Sequence, residues 1–216
     1  MKDMEIQPQD LEYMPEYSVT QQPFVLDLVI RKKPGVVLQN EIGAIFKGHN
    51  IFEYKAPGES LDIDTFYKVI AYACLYAAEK EVDETGKTIH RSAEDITITL
   101  VQNEKPVVLF KELSEMGYSV SEYAPGIYWI NGNPMGFCIQ IIVSDELTPG
   151  KHKWLSSLRN DISYDHLDRL YEALQSAKGS DSYADMKDML LFLLEANPET
   201  GECWKKDRGI TDLFSQ

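Results

Sequence analysis

Apolar and polar positions divide this chain into a strand-rich part and a helix-rich end. Phe24 to Lys32 is an apolar run of strand length broken by one charge, Asp27, and stopped by Pro34-Gly35. Gln39 to Phe46 suits either a strand or a short helix, and Ile51 to Lys55 reads as a second strand ended by Pro57-Gly58. From about Ser60 to Lys80, Ile63, Phe66, Tyr67, Ile70, Cys74, Ala77 and Ala78 recur at helical spacing, with Thr65, Lys68, Tyr72 and Glu79 off that stripe. A charged loop is expected over 81–94, and Asp95 to Gln102 alternates as a strand should. Val107 to Met116 suits a helix, and short strands are expected at 118–122, 126–131 and 137–143, with Asn131-Gly132-Asn133-Pro134 turning between the last two.

From Lys151 onward the pattern is helical. Trp154, Leu155 and Leu158, then Leu167, Leu170, Tyr171 and Leu174, then Tyr183 through Leu194 make three amphipathic stretches, with a hinge over 176–182. Residues 1–23 are polar and interrupted by Pro8, Pro15 and Pro23, with one short helix expected near 10–17. The order strand, strand, helix, strand predicts an α/β fold, a mixed central sheet with flanking helices over residues 1–150. Residues 151–216 form a helical C-terminal extension expected to pack on that core.

Composition narrows the classes. With 216 residues, 44% of them apolar and 11% aromatic, the chain has material for a real core and does not read as disordered. Its longest uncharged apolar run, Val69 to Ala78, is half of what a membrane span needs, and the N-terminus lacks a signal-peptide apolar segment. A cytoplasmic protein with no membrane partner is expected. Cys74, Cys138 and Cys203 lie far apart without Cys-x-x-Cys spacing, which predicts neither a disulfide framework nor a structural zinc site. A net charge of −14 opposes general nucleic-acid binding, because phosphate affinity comes from Lys and Arg. Residues 1–60 carry only −3 of it, so the first part of the chain is where an anion is best tolerated.

There the chemistry-bearing residues also lie. A half-buried carboxylate at Asp27 costs several kcal/mol unless a cation or donors meet it. Glu53 and Lys55, two apart on a strand, share one face. If the two strands are neighbours, the three charges converge, and carboxylates about 4 Å apart repel by about 4 kcal/mol at an effective dielectric near 20. A hard divalent ion such as Mg2+ answers that repulsion, taking two carboxylates, a backbone carbonyl and waters. Such an ion acidifies bound water and offsets charge on a phosphoryl oxygen. Lys55 could then orient or deprotonate the water, or neutralise the transition state. The competing reading is a buried ion-pair cluster without metal. Acidic-x-Lys spacing recurs at Asp185-Met186-Lys187, but in a helical context where positions i and i+2 do not share a face.

Asp27, then Glu53-Tyr54-Lys55 at a strand end, then a helix, resembles the PD-(D/E)XK nuclease superfamily, whose core is that of restriction endonucleases. More closely, His49 to Pro57, Ile63 to Ile70 and Ala71-Tyr72-Ala73 resemble a bacterial branch near the recombination-promoting, transposase-associated nucleases. Gly126-Ile-Tyr and Ile139 to Val143 fit the same branch, so the resemblance covers about residues 24–147. It implies that Asp27 and Glu53 bind Mg2+ (or Mn2+) with the Tyr54 carbonyl while Lys55 assists the hydrolytic water. The implied reaction is phosphodiester hydrolysis, with DNA the first expected substrate. Leu26 stands where the family name has proline, and the Gln-x-x-x-Tyr element of some branches appears as Lys68-x-x-x-Tyr72.

Around this set, Lys68 and Tyr72, one helical turn apart, could contact a substrate phosphate, and His49 could approach from the strand's start. Asp62 and Asp64 are explained by capping and the helix dipole. Glu12, Glu16 or Glu41 could add a carboxylate, though each suits a solvated surface. Arg31-Lys32-Lys33 with Lys47 could hold a phosphate backbone, or could simply guard an edge strand. Tyr123, Tyr128 and Trp129 could stack on bases but suit sheet packing better. The four histidines are too dispersed for a zinc hydrolase, and no dinucleotide fingerprint, P-loop or nucleophile elbow occurs. The alternative is a catalytically inactive nuclease-fold protein that works as a protein-binding or assembly module, with a second copy of the chain as one partner.

Overall fold

A computed structural model describes residues 26–56, 58–82, 86–148, 150–157, 161–180 and 183–210. Its centre is a six-stranded mixed sheet in the order β1 (Leu28–Arg31), β2 (His49–Tyr54), β5 (Ile96–Gln102), β8 (Cys138–Val143), β7 (Ile127–Asn131) and β6 (Ser119–Ala124). β2, β5 and β8 run parallel, while β1, β7 and β6 are each antiparallel to their neighbours. The expected mixed α/β sheet is therefore present. Two helices, α1 (Ile63–Ala78) and α2 (Val107–Glu115), follow β2 and β5.

β5 shows why the sheet sits where it does. Every residue of Ile-Thr-Ile-Thr-Leu-Val-Gln is buried, because β5 lies between two parallel strands and is covered on both faces. Ile96, Ile98 and Leu100 join Ile51, Ile139 and Ile141 beneath Phe66, Val69 and Ala73 of α1 and Leu109 and Leu113 of α2. On the opposite face, buried hydroxyls need partners. Thr97 Oγ1 accepts from the Lys47 N–H at 3.0 Å and donates to Ile45 O at 3.2 Å. Gln140 Nε2 donates to Thr99 Oγ1 and Ile42 O at 3.0 and 3.1 Å. These bonds hold the segment before β2 across that face, and they make its Gly43–Ile45 piece a 3-10 turn, the short-helix option for residues 39–46.

Several boundaries move. The first strand begins only at Leu28, and Leu28 and Ile30 remain 50% and 38% exposed because β1 is an edge. α1 starts at Ile63 with Asp62 as its N-cap, the carboxylate accepting from the Thr65 N–H at 2.8 Å. The charged loop expected over 81–94 contains a small ribbon, β3 (Glu81–Val82) with β4 (Thr88–Ile89). Its strands are too short for a periodicity to show. Between β6 and β7 the chain reverses at Gly126, whose φ of +74° and the Val143 carbonyl, 2.6 Å from where a Cβ would lie, exclude a side chain.

Toward the C-terminus, α3 (Tyr164–Ser176), α4 (Tyr183–Ala196) and α5 (Pro198–Asp207) pack together around Leu167, Leu170, Leu174, Leu190, Leu193 and Trp204. Of the stretch expected at 154–158, the described residues make a 3-10 turn, Leu155–Ser157, and a further helix is α5, started by Pro198 in its first turn. Asp168 of α3 accepts from Trp204 Nε1 and Arg208 Nε, both at 2.9 Å, and from Arg208 Nη2 at 2.5 Å. That guanidinium, then the indole N–H, pulls its pKa down to about 2.

Candidate active site

Antiparallel pairing sets Leu28 opposite Phe52 and Val29 opposite Ile51, so continuing the register by one residue sets Asp27 opposite Glu53. Opposed residues of such a pair have Cβ atoms about 5 Å apart on one face. Asp27 lies one residue before β1, exposed and not half-buried as expected, because β1 ends the sheet among the described residues. Its Oδ2 accepts from the Tyr54 N–H at 2.9 Å. The side chain thus takes a β2 amide that faces β1. Because a strand residue sends its N–H and C=O to the same side, the Tyr54 carbonyl also points toward the β1 side of β2.

Glu53 is the buried carboxylate, 6% exposed, on the α1 side of the sheet beside Leu100. Its compensation is Lys55, whose Nζ donates to Glu53 Oε1 at 2.7 Å. Burial works against the Lys55 ammonium, but the hydrogen bond and charge of Glu53, then Glu59 and Asp27, outweigh it and raise its pKa. Lys55 therefore senses both carboxylates, as the convergence of the three residues requires. Burial, and then Glu59, push the Tyr54 phenol up.

A cleft of about 550 Å³ opens at the C-terminal ends of β2 and β5, its lining starting at Ala56, next to Lys55 in the chain. One wall is Ala56 with Gly58 to Asp62, leading into α1, and the other is Gln102 to Leu109 leading into α2. Parallel strand ends of this kind are where α/β sheets usually hold ligands. Gln102 ties the walls together. Extending the β2–β5 register sets it beside Lys55, its Oε1 accepts from the Leu61 N–H at 3.0 Å, and its Nε2 donates to Glu104 O. Gln102 is not among the residues that the sequence pattern singles out, although a polar residue on the Ile96-Ile98-Leu100 face carries the same signal as Asp27. Nor is Lys105, whose Nζ donates to Tyr128 Oη at 2.6 Å, while that phenol donates to Glu146 at 2.5 Å.

Other residues singled out from the sequence lie elsewhere or are engaged. His49 starts β2 and places Nδ1 2.9 Å from Tyr76 Oη, four residues and about 13 Å of strand from Glu53. Arg31, Lys32, Lys33 and Lys47 cluster at that same far end of the β1–β2 ribbon, because Arg31 pairs with His49 and Lys32 N–H bonds Gly48 O. The basic group is therefore not next to Glu53. Lys68 is exposed with Nζ 5.5 Å from the Tyr72 ring centre, and Tyr72 is buried at 8% exposure. Asp64 sits in the first turn of α1. Glu41 meets Lys151 at 2.5 Å and His152 at 3.0 Å, and these bonds lower its pKa. Tyr123 stacks on Trp129 with centroids 4.0 Å apart. Glu12 and Glu16 fall outside the described residues.

The groups here that could hold a metal are oxygen-only: Asp27, Glu53 and the Tyr54 carbonyl. Among the described residues no group of three or more His, Cys, Asp or Glu side chains is arranged to hold a metal ion. Two carboxylates and a carbonyl nevertheless fit Mg2+, which keeps several waters of its own. Among the described residues, no helix is long and apolar enough to cross a membrane. Comparison of the chain with family models, with curated proteins and with solved structures returned no match.

Proposed function

We propose that this protein is a divalent-metal-dependent nuclease and that its sheet is a restriction-endonuclease-like core. One observation carries the reading: Asp27 on the Tyr54 amide and Lys55 on Glu53 bring two carboxylates, a carbonyl and an ammonium to one strand end beside an open cleft. Asp27, Glu53 and the Tyr54 carbonyl would hold Mg2+ or Mn2+. When bound, such an ion supplies an acidified water and offsets charge on the phosphoryl oxygens. Lys55, fixed by Glu53, orients the water and places positive charge where the transition state gathers negative charge. Gln102 holds the two cleft walls at a set separation through Leu61 and Glu104.

The test is calorimetric titration of Mg2+ and Mn2+ into wild type and Asp27→Ala, with nuclease assays on single- and double-stranded DNA and RNA. The expected result is metal binding and cleavage in wild type and neither in the variant. A wild type that binds no metal and cuts nothing overturns the reading. It would leave Glu53 and Lys55 as a structural ion pair in a protein-binding module.

A further inference from the structure

The charge around the cleft bears on what it can admit, and resting on the nuclease reading, we infer that its substrate is a phosphodiester of one or two nucleotides and not a duplex. On the cleft walls, Glu59, Asp62 and Glu104 stand against Lys105. Lys105 is itself engaged by Tyr128 at 2.6 Å and lies 3.8 Å from Glu146. Lys55, the other ammonium, is bonded to Glu53. Among the described residues, with Asp27 and Glu53 included, five carboxylates stand here against two ammonium groups, an excess greater than a single divalent ion can offset. Each further phosphate a substrate brings to this end is repelled, whereas duplex binding draws its affinity from Lys and Arg along the backbone. The basic cluster that could supply such contacts lies at the other end of the β1–β2 ribbon.

The cleft offers something else to hold a small substrate. Val107 and Val108, 65% and 71% exposed at the start of α2, line it with Leu109. Exposed valines there gain nothing for the fold, yet a nucleobase or sugar laid against them leaves water. At about 550 Å³ the space falls within the range of small-molecule sites. A single phosphodiester at the Asp27–Glu53 set with a base on the valine lip accounts for acidic walls and apolar lip together.

The test uses the full chain loaded with Mn2+, a dinucleoside monophosphate and a short synthetic duplex, each assayed from roughly 50 to 200 mM salt. The expected kcat/KM favours the dinucleotide about tenfold or more and changes less than about twofold with salt, while duplex cleavage rises as repulsion is screened. Val108→Asp, at an exposed position that tolerates a polar group, raises the dinucleotide KM about tenfold and leaves kcat within about twofold. Glu104→Lys narrows the gap between the two substrates. Duplex preference with a rate that falls steeply with salt overturns the substrate assignment. So does Asp27-dependent duplex cleavage with no turnover of the dinucleotide, and in that case the nuclease reading stands. Absence of calorimetric Mn2+ binding together with absence of any turnover overturns both.

Discussion

The two ends of β2 present side chains on one strand face, and only one end gathers chemistry. At the His49 end the ring packs against Tyr76 with centroids 5.6 Å apart, and exposed Arg31, Lys33 and Lys47 lie around it. At the Glu53 end a buried carboxylate, its lysine and an exposed aspartate meet beside a cleft. Ile51, fully buried, separates them. The difference teaches that a strand rising about 3.3 Å per residue carries apart residues that look clustered in a sequence window. It also sorts charge by sign, basic at one end of the ribbon and acidic at the other. The negative potential that favours a cation therefore lies at the Glu53 end alone.

Breaking the acidic end has the largest expected effect. Asp27→Ala lowers kcat/KM by about a hundredfold to a thousandfold, whereas His49→Ala changes it less than about twofold. Equal losses at the two ends would erase the contrast between them. Next, Glu53→Ala strands the partly buried Lys55 ammonium and lowers metal-free stability by about 2 kcal/mol in urea melts. Glu53→Leu, which still leaves that ammonium unpaired, is expected to recover little, and Glu53→Leu with Lys55→Met to recover most. At the other end, His49→Phe keeps the ring packing against Tyr76 but removes its hydrogen bond, costing about 1 kcal/mol with turnover unchanged. Lys33→Ala and Lys47→Ala sit at the bottom of the scale, within about 0.5 kcal/mol in stability.

Away from both ends, Asp168 gives a pH control. Its carboxylate is held at a pKa of about 2 against an ordinary 3.8, so its contribution is complete above pH 3.8 and is lost as pH falls toward 2. Asp168→Asn therefore flattens the acid limb of helical-tail stability, read by Trp204 fluorescence, and leaves turnover at neutral pH unchanged.

Much of the architecture was legible because the periodicities were long or clean. The helix beginning near residue 60 carries an apolar stripe over several turns, and Ile-Thr-Ile-Thr-Leu alternates over five consecutive positions. Short elements were not legible: two-residue β3 and β4 offer no period to read, and α5 hides behind Pro198 with Trp204 as its main apolar anchor. At the site, the neighbouring of Asp27, Glu53 and Lys55 depended on a pairing of the two strands that the pattern left as a condition and that β1 and β2 meet. The exposure of Asp27 was not legible, because whether a strand is an edge depends on the order of the whole sheet. Placing the basic cluster near Glu53 failed for a related reason, since hairpin neighbours in sequence run to the far end of the strand. Gln102 and Lys105 required the β2–β5 register, which is a long-range fact.

The hydrogen bond from the Tyr54 amide to Asp27 makes one backbone proton an observer of the acidic end. Any cation that draws electron density from that carboxylate loosens the bond and moves the amide's resonance without altering its own place in the strand. In a nitrogen-labelled sample, the Tyr54 cross-peak is a built-in meter of occupancy that needs no substrate. Its displacement against added Mg2+ gives an affinity curve residue by residue, and the His49 amide, on the same strand, supplies the blank.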